Sequence, residues 1–262
     1  METQEIEDND LIKENKILEM ELDEEKEYSN IKKFLAEFIG TTCLAFSLQL
    51  CHMIYPSYIF TEGTLVLASM IYLFGKVSGG HFNPAVSIPM CIRKKITLSQ
   101  CFYYIGAQLL GSLVVNIVFG LISIKDLYIS YIKNNTFDYN DYDYDYDRND
   151  SPEKLTAWSY VSCFIYEMIS TFILVLVIFG SYTKENKNVS GIFIGLTYYV
   201  LCSINSIISN DSFNPAMSLT SHVVLAIGNK NEYIVQIWLF IIAPIIGGIA
   251  GGLAFMPFDD EY

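Results

Sequence analysis

Six long apolar stretches constrain the fold of this chain more than any other feature of its sequence. Each approaches the length of about 20 residues that a helix needs to cross the hydrocarbon core of a bilayer. The stretches lie at 34–54, 61–77, 98–122, 159–181, 189–209 and 232–256. The second is the weakest, because Glu62 and Lys76 bracket a short apolar run. One such stretch would also suit a core helix of a large soluble protein, but six in a chain that is 52% hydrophobic predict an all-α membrane protein.

The formal net charge of −13 is concentrated in a few polar segments. Residues 1–30 contain 12 acidic and 3 basic side chains, the segment 137–150 contains six Asp, and 259–261 adds three acidic residues. Acidic segments of this kind are expected to stay solvated outside the apolar helices. Because the chain is acidic and shows no basic patch, nucleic acid is excluded as a partner.

Basic residues close to the apolar stretches predict the orientation in the membrane. Lys32 and Lys33 precede the first stretch, Arg93-Lys94-Lys95 (93–95) precede the third, and Lys184 and Lys187 lie between the fourth and the fifth. With six crossings these three sites share one side of the bilayer. The N- and C-termini are therefore expected in the cytoplasm, with the plasma membrane as the expected location.

The two halves of the chain repeat each other. Laying A-E-F-I-G-T-T over Y-E-M-I-S-T-F places Glu37 opposite Glu167. Asn83 follows the first glutamate by 46 positions, and Asn214 follows the second by 47. Three spans per half is an odd number, so the halves must cross the membrane in opposite directions. Such an inverted repeat is typical of transport proteins with a site near the bilayer midplane.

Each half carries the tripeptide Asn-Pro-Ala, at 83–85 and at 214–216. Asparagine is a favoured N-cap, and proline fits the first helical position because its missing N–H would be unpaired there. The tripeptides therefore predict two short helices, P-A-V-S-I-P-M-C-I (84–92) and P-A-M-S-L-T-S-H-V-V-L (215–225). Neither is long enough to span a bilayer. In an inverted repeat they enter from opposite faces and meet head to head.

The predicted meeting point of the two half-helices would act as a barrier to ions. Each helix N-terminus carries about half a positive charge, and the two ends converge. Cations and protons are repelled there, while the amides of Asn83 and Asn214 can donate hydrogen bonds to the oxygen of a neutral solute. Two copies of the motif, at matching distances after matching glutamates, favour function over chance.

These motifs resemble those of the aquaporin family, the major intrinsic proteins. S-G-G-H-F-N-P-A-V-S is similar to the first family signature almost letter for letter. Y-Y-I-G-A-Q-L-L-G-S-L, which contains Gln108, resembles the third helix, and W-L-F-I-I-A-P-I-I-G-G-I-A-G-G-L resembles the sixth. The resemblance implies six tilted transmembrane helices and two re-entrant half-helices in an inverted 3+3 repeat. It also implies one pore per subunit and assembly as a homotetramer.

On this resemblance the chain divides into a channel domain and two tails. The channel domain is expected at 31–256, with halves at about 31–122 and 159–256 joined by an acidic, Tyr/Asp-rich extracellular loop at 123–158. Residues 1–30 form an acidic cytoplasmic tail that is expected to be disordered, and 257–262 form a short cytoplasmic tail.

The resemblance assigns pore and support roles to particular residues. The centre of the pore is implied to be Asn83, Pro84, Ala85, Asn214, Pro215 and Ala216. Backbone carbonyls of Gly79, Gly80, His81 and Phe82, and of the segment 210–213, are implied to line it as acceptors. Glu37 and Glu167, with Gln108, are implied to be buried supports that bond the loop backbone, although a proton relay is a second interpretation of the two acids. His81 is interpreted as a pore-edge or structural residue, because no second metal ligand is near it in sequence.

The expected selectivity filter departs from the family pattern. Counting from the two Asn residues, its four positions fall on Gly63, Cys202, Asp211 and Met217. The family usually has arginine at the last of these, which donates hydrogen bonds and repels cations, and methionine supplies neither. Gly63 replaces the usual aromatic residue, so a wider constriction is expected. Asp211 either lies at the pore wall as an acceptor or is turned away and bonded to backbone.

Three functions fit these observations. The first is a passive channel for water that also passes small uncharged solutes, because its filter is wide and lacks arginine. The second is a channel mainly for glycerol, urea or another small neutral solute, and the third is a poorly conducting membrane scaffold or adhesion protein. No nucleophile–base pair, metal cluster or phosphate loop stands out, so we expect no enzyme, no cofactor and no metal. The expected partners are the lipid bilayer, water, small neutral solutes and other copies of the chain.

Overall fold

A computed structural model describes residues 28–54, 61–121, 157–181, 189–208, 213–227 and 236–258. The described chain is helical, with no strand in these ranges. Its helices are α1 (Asn30–Ile54), α2 (Thr61–Ser78), α3 (Pro84–Ile92), α4 (Leu98–Leu121), α5 (Ala157–Ser181), α6 (Ser190–Ile208), α7 (Pro215–Ile227) and α8 (Ile237–Ala254). A short 3₁₀ turn follows at Met256–Phe258. The predicted tails and the loop at 123–158 lie largely outside the described residues.

The helices coincide with the six predicted spans and the two predicted half-helices. Among the described helices, four are long and apolar enough to cross a membrane: α1, α4, α5 and α8. The apolar parts of α2 and α6 are shorter, at Leu65–Ser78 and Ser190–Ile204. For α2 this agrees with the sequence, because Glu62 lies in its first turn. The half-helix α3 has the predicted bounds, and α7 runs two residues beyond the predicted end at 225.

Large apolar side chains cover the outside of the helix bundle. Leu73 on α2, Phe102 on α4 and Ile192 on α6 are each more than half exposed. Polar side chains, including Glu37 and Glu167, are fully buried instead. This distribution is the reverse of that in a soluble protein, and it fits a molecule whose outer surface contacts lipid.

Each half-helix packs against the last helix of the other half. Within the halves, α1 packs on α2 and α4, and α5 packs on α6 and α8. Across the halves, α3 contacts α8 and α7 contacts α4, while α2 contacts α6. The contacts of one half thus recur in the other, as an inverted repeat requires.

Two glycines hold the outer helices together at equivalent places. A Cβ at Gly111 on α4 would lie 2.7 Å from the carbonyl oxygen of Phe38 on α1. A Cβ at Gly247 on α8 would overlap the carbonyl oxygen of Met168 on α5. Phe38 and Met168 each follow the buried glutamate of their half by one position. Glycine at these sites lets two helix backbones approach closely, which is how membrane helices gain packing contacts.

Gly247→Ala is therefore expected to destabilise the protein, whereas Gly106→Ala is a control on α4 where a Cβ meets no atom within 4 Å. Overpacking of a close contact costs about 1–3 kcal/mol. Thermal unfolding of the detergent-solubilised protein should show a lower midpoint for Gly247→Ala than for the control. Equal midpoints would show that α5 and α8 are not held at this distance.

Candidate functional site

The two half-helices meet through a reciprocal pair of hydrogen bonds. The Nδ2 of Asn83 donates to the carbonyl oxygen of Phe213 at 2.9 Å, and the Nδ2 of Asn214 donates to that of Phe82 at 2.9 Å. Each Asn also caps its own helix, because Asn83 Oδ1 accepts from the backbone N–H of Ala85 at 2.8 Å and Asn214 Oδ1 from that of Ala216 at 3.1 Å. A primary amide has two N–H donors. Each Asn thus has one more donor than its bond across the two halves uses.

The residue before each Asn has an unusual backbone conformation. Phe82 and Phe213 both have φ of 50°, in the left-handed region that bulky residues rarely adopt. Both side chains are fully buried: Phe82 lies against Gly40, and the ring of Phe213 stands edge-on to Tyr198 at 6.2 Å. The same strained conformation in both halves serves one purpose, since each phenylalanine carbonyl receives the Asn of the other half.

The carboxylate of Glu37 holds the loop that leads into the first half-helix. Its Oε1 accepts from Ser78 Oγ at 2.6 Å and from the N–H of His81 at 2.9 Å. Its Oε2 accepts from the N–H of Phe82 at 2.7 Å and from Gln108 Nε2 at 2.8 Å. Four donors thus surround a fully buried acid, and two of them are backbone groups that no helix satisfies.

His81 lies between this network and the half-helix. Its Nδ1 is 3.1 Å from Ser87 Oγ, and its ring stands edge-on to Tyr104 at 5.1 Å. Tyr104 in turn donates to the carbonyl of Ser78 at 2.7 Å. No group of three or more His, Cys, Asp or Glu that could hold a metal ion occurs in the described ranges. These contacts are those of a histidine fixed by neighbouring side chains.

The second half is described less fully than the first. Glu167 is completely buried on α5, at the position equivalent to Glu37, and its carbonyl accepts from Thr171 Oγ1 at 2.7 Å. Of the segment 210–213, only Phe213 belongs to the described residues. The roles predicted for Glu167 and for the carbonyls of 210–212 therefore remain predictions.

A cavity of about 20 Å³ lies beside the two Asn residues. Both halves contribute to its wall: Leu44, Leu67, Ile71, Gly80, His81, Asn83, Val86, Leu174, Ile178, Ile194, Tyr198 and Asn214. A cavity needs roughly 10–15 Å³ to hold one water molecule. The wall combines apolar side chains with the polar side chains of His81 and the two Asn residues, and the cavity has room for one water molecule.

The apolar residues of this wall were not among the site residues predicted from the sequence. The repeat itself contained a signal for it, because Leu44 and Leu174 each follow a repeated glutamate by seven positions. Val86 likewise follows Asn83 by three, as Met217 follows Asn214. Gly79, predicted to line the pore, does not belong to the described wall, and the carbonyl of Phe82 accepts the bond from Asn214.

The structure describes three of the four residues predicted to form the selectivity filter. Met217 lies in the first turn of α7 and is 7% exposed, and Cys202 on α6 is fully buried in the same apolar cluster. Gly63 belongs to the first turn of α2. Asp211 lies outside the described residues, so both interpretations of it stay open.

An inverted repeat with two half-helices that meet through their capping asparagines, beside a cavity, defines a membrane channel of the aquaporin type. The family description "Major intrinsic protein" matches residues 24–255, and the chain belongs to that family. Members of the family are channels and not enzymes. The chain is therefore a membrane channel for water, small solutes or both.

The relatives include proteins named for water and for glycerol. The chain is 33% identical over 233 residues to Aquaporin NIP3-1 of Arabidopsis thaliana, covering 85% of this chain and 66% of that protein. It is 28% identical over 225 residues to Glycerol uptake facilitator protein-like 6 of Lactiplantibacillus plantarum, covering 84% and 94%. The X-ray structure of the aquaglyceroporin from Plasmodium falciparum has the same fold, with a TM-score of 0.64, 23% identity, and coverage of 87% of this chain and 96% of that one.

Glu37→Gln is expected to destabilise the first half. One carboxylate oxygen becomes an amide that faces N–H donors, and leaving such buried donors unpaired costs about 1–3 kcal/mol. The midpoint of thermal unfolding in detergent should fall. Ser69→Ala serves as the control, because Ser69 is exposed to the outside and its hydroxyl bonds only within its own helix, to Leu65 O. A midpoint that is unchanged in Glu37→Gln would contradict this role.

Proposed function

We propose that this protein is a passive water channel that also passes small uncharged solutes. The observation that carries the proposal is the pair of Asn side chains at the wall of a cavity that both halves enclose. Each amide retains a donor for a permeating oxygen, and the surrounding wall is apolar. A solute would exchange hydrogen bonds at the centre while the apolar wall keeps its other contacts weak, which favours fast passage.

The same geometry supports exclusion of ions. Half-helices α3 and α7 both begin at the Asn pair, so their N-terminal partial charges of about +0.5 each converge there. The barrier does not depend on the missing filter arginine. Water and neutral solutes would pass, and cations and protons would be repelled.

The methionine at position 217 is one reason to expect that the channel passes solutes other than water. It occupies the position that corresponds by the repeat to Val86, which lines the cavity. A thioether there supplies no fixed charge and no hydrogen-bond donor. Together with Gly63, it would leave a filter wide enough for solutes larger than water, with Cys202 and Asp211 as the other two filter positions.

A channel mainly for glycerol, urea or a similar solute is the second candidate. A relative named as a glycerol uptake facilitator favours it, as does the absence of a filter arginine. Flux measurements on the same preparation distinguish the two candidates.

The assembly and location that we propose are those of a homotetramer in the plasma membrane, with both termini in the cytoplasm. The basic residues Lys32, Lys33 and 93–95 support this orientation. The channel domain is proposed to span 31–256, with 1–30 and 257–262 as tails. Mass measurement of the detergent-solubilised complex tests the tetramer.

Osmotic response of proteoliposomes tests the main proposal. With sorbitol outside, the purified protein should speed shrinkage well above that of protein-free vesicles. With glycerol outside, re-swelling after the initial shrinkage should also be faster. Fast water flow with glycerol uptake at the protein-free rate would reduce the proposal to a strict water channel, and no acceleration in either experiment would reject a channel function.

Met217→Arg should narrow the selectivity. A guanidinium at this position adds bulk, donors and positive charge, so we expect glycerol flux to fall by roughly tenfold and water flux by much less. Met217→Leu is the matched control, because it keeps the size and lacks the charge. Equal losses of both fluxes in the arginine variant would be evidence against Met217 as a filter residue.

A further inference from the structure

A buried chain of polar side chains connects α1 and α4 to the second half-helix. Gln49 Nε2 on α1 donates to Asn116 Oδ1 on α4 at 2.7 Å. Asn116 Nδ2 donates to Thr220 Oγ1 on α7 at 3.1 Å, and Ser112 Oγ lies 2.7 Å from the same Thr220 oxygen. Ser112 is fully buried, and Asn116 and Thr220 are each 6% exposed. None of the four belongs to the described wall of the cavity.

The hydrogen bonds of this cluster end at the backbone of the second half-helix. Thr220 Oγ1 lies 2.8 Å from the carbonyl of Ala216 and 3.2 Å from that of Met217, and its hydroxyl can donate to either. Asn116 Nδ2 donates to the Thr220 oxygen, and either hydroxyl can be the donor in the bond between Ser112 and Thr220. The chain of donors runs from Gln49 through Asn116 to Thr220. It ends at the carbonyls of the Asn-Pro-Ala alanine and of Met217.

The equivalent interface in the other half is packed mainly through glycine, with one polar contact, in which Arg93 Nη1 at the end of α3 donates to the carbonyl of Gly252 at 2.7 Å. By the matching of Gly111 with Gly247 described above, Ser112 corresponds to Gly248 and Asn116 to Gly252. Gly248 lies against the carbonyl of Ala85, and a Cβ at Gly252 would be 2.9 Å from Pro89 Cβ. Pro89 stands six positions after Asn83, as Thr220 stands six after Asn214. Against the last helix of the opposite half, the first half-helix is therefore placed by close packing on glycine and one arginine bond, and the second by a cluster of polar side chains.

We propose that Thr220, with Asn116, Ser112 and Gln49, forms a positioning network for the second half-helix, which sets where Met217 lies and thereby tunes the selectivity of the pore. This inference rests on the proposed function of the channel. A helix packed by glycine against backbone has one close-fitting position. A helix held by a few hydrogen bonds moves when one of them is lost, because the buried donors on the neighbouring helix must find other acceptors.

The test is Thr220→Val, which keeps the shape of the side chain and removes the hydroxyl. Glycerol and water fluxes are measured in proteoliposomes that contain equal amounts of reconstituted protein. We expect the ratio of glycerol to water permeability to change by about fivefold, the factor that the net free energy of a single hydrogen bond, about 1 kcal/mol, implies. Thr220→Ser should restore the ratio of the wild type, because it restores the hydroxyl.

Ser221→Ala is the matched control on the same half-helix. Its hydroxyl bonds within the helix to Ser218 O, at 3.1 Å, so its removal should leave the ratio unchanged. A merely structural defect lowers both fluxes in proportion and does not alter their ratio. An unaltered ratio in Thr220→Val, with normal protein yield, would overturn the positioning role.

Gln49→Met provides a second test if Thr220→Val does not assemble. Gln49 is at the half-buried end of the chain of donors, so its replacement is milder. It should also change the ratio of glycerol to water permeability. An unchanged ratio in Gln49→Met would then overturn the inference. A wild-type protein that conducts neither water nor glycerol would instead reject the proposed function, and the two failures are thus distinguishable.

Discussion

The demand for hydrogen-bond partners in a bilayer is the constraint on which the structure depends. Helices satisfy their own backbone, but the described loop that leads into the first half-helix does not. The carboxylate of Glu37 meets this demand in the first half, where it accepts the N–H groups of His81 and Phe82. The carbonyl of Phe82 can then receive Asn214 from the other half. A buried acid thus joins a re-entrant loop to the opposite half-helix, and the centre of the channel follows from that connection.

The two halves of the inverted repeat share the contacts at the centre of the channel but differ in how their half-helices pack. The capping asparagines, the left-handed phenylalanines and the close-packed Gly111 and Gly247 recur in both halves. The interfaces of the half-helices do not, because glycines and one bond from Arg93 join the first to α8, whereas a polar cluster around Thr220 joins the second to α4. Symmetry is kept where the two half-helices meet each other. It is broken beside α7, the half-helix that carries Met217.

Sequence reasoning succeeded where local chemistry decides the outcome. The start of α3 follows from Asn83 and Pro84, whose capping geometry needs no tertiary partner. The burial of Glu37 was implied by the resemblance of A-E-F-I-G-T to the glutamate helix of the family. Leu44 and Ile178 were not predicted as cavity residues. A leucine or isoleucine on a membrane helix can face lipid, protein or the pore, and its residue type does not distinguish these surroundings. Gly63 and Asp211 were located only by counting from the motifs.

The sequence by itself determined the family, the inverted repeat, the two capped half-helices and the departure at Met217, because each depends on residue types at fixed spacings. Only the tertiary structure decided which partners these residues find. It brought Asn83 to Phe213 and Asn214 to Phe82, separated by more than a hundred positions in the chain. It likewise assembled Gln49, Asn116 and Thr220 from three helices. The physical reason is that hydrogen bonds act over about 3 Å, and helix packing, which local sequence does not encode, sets those distances.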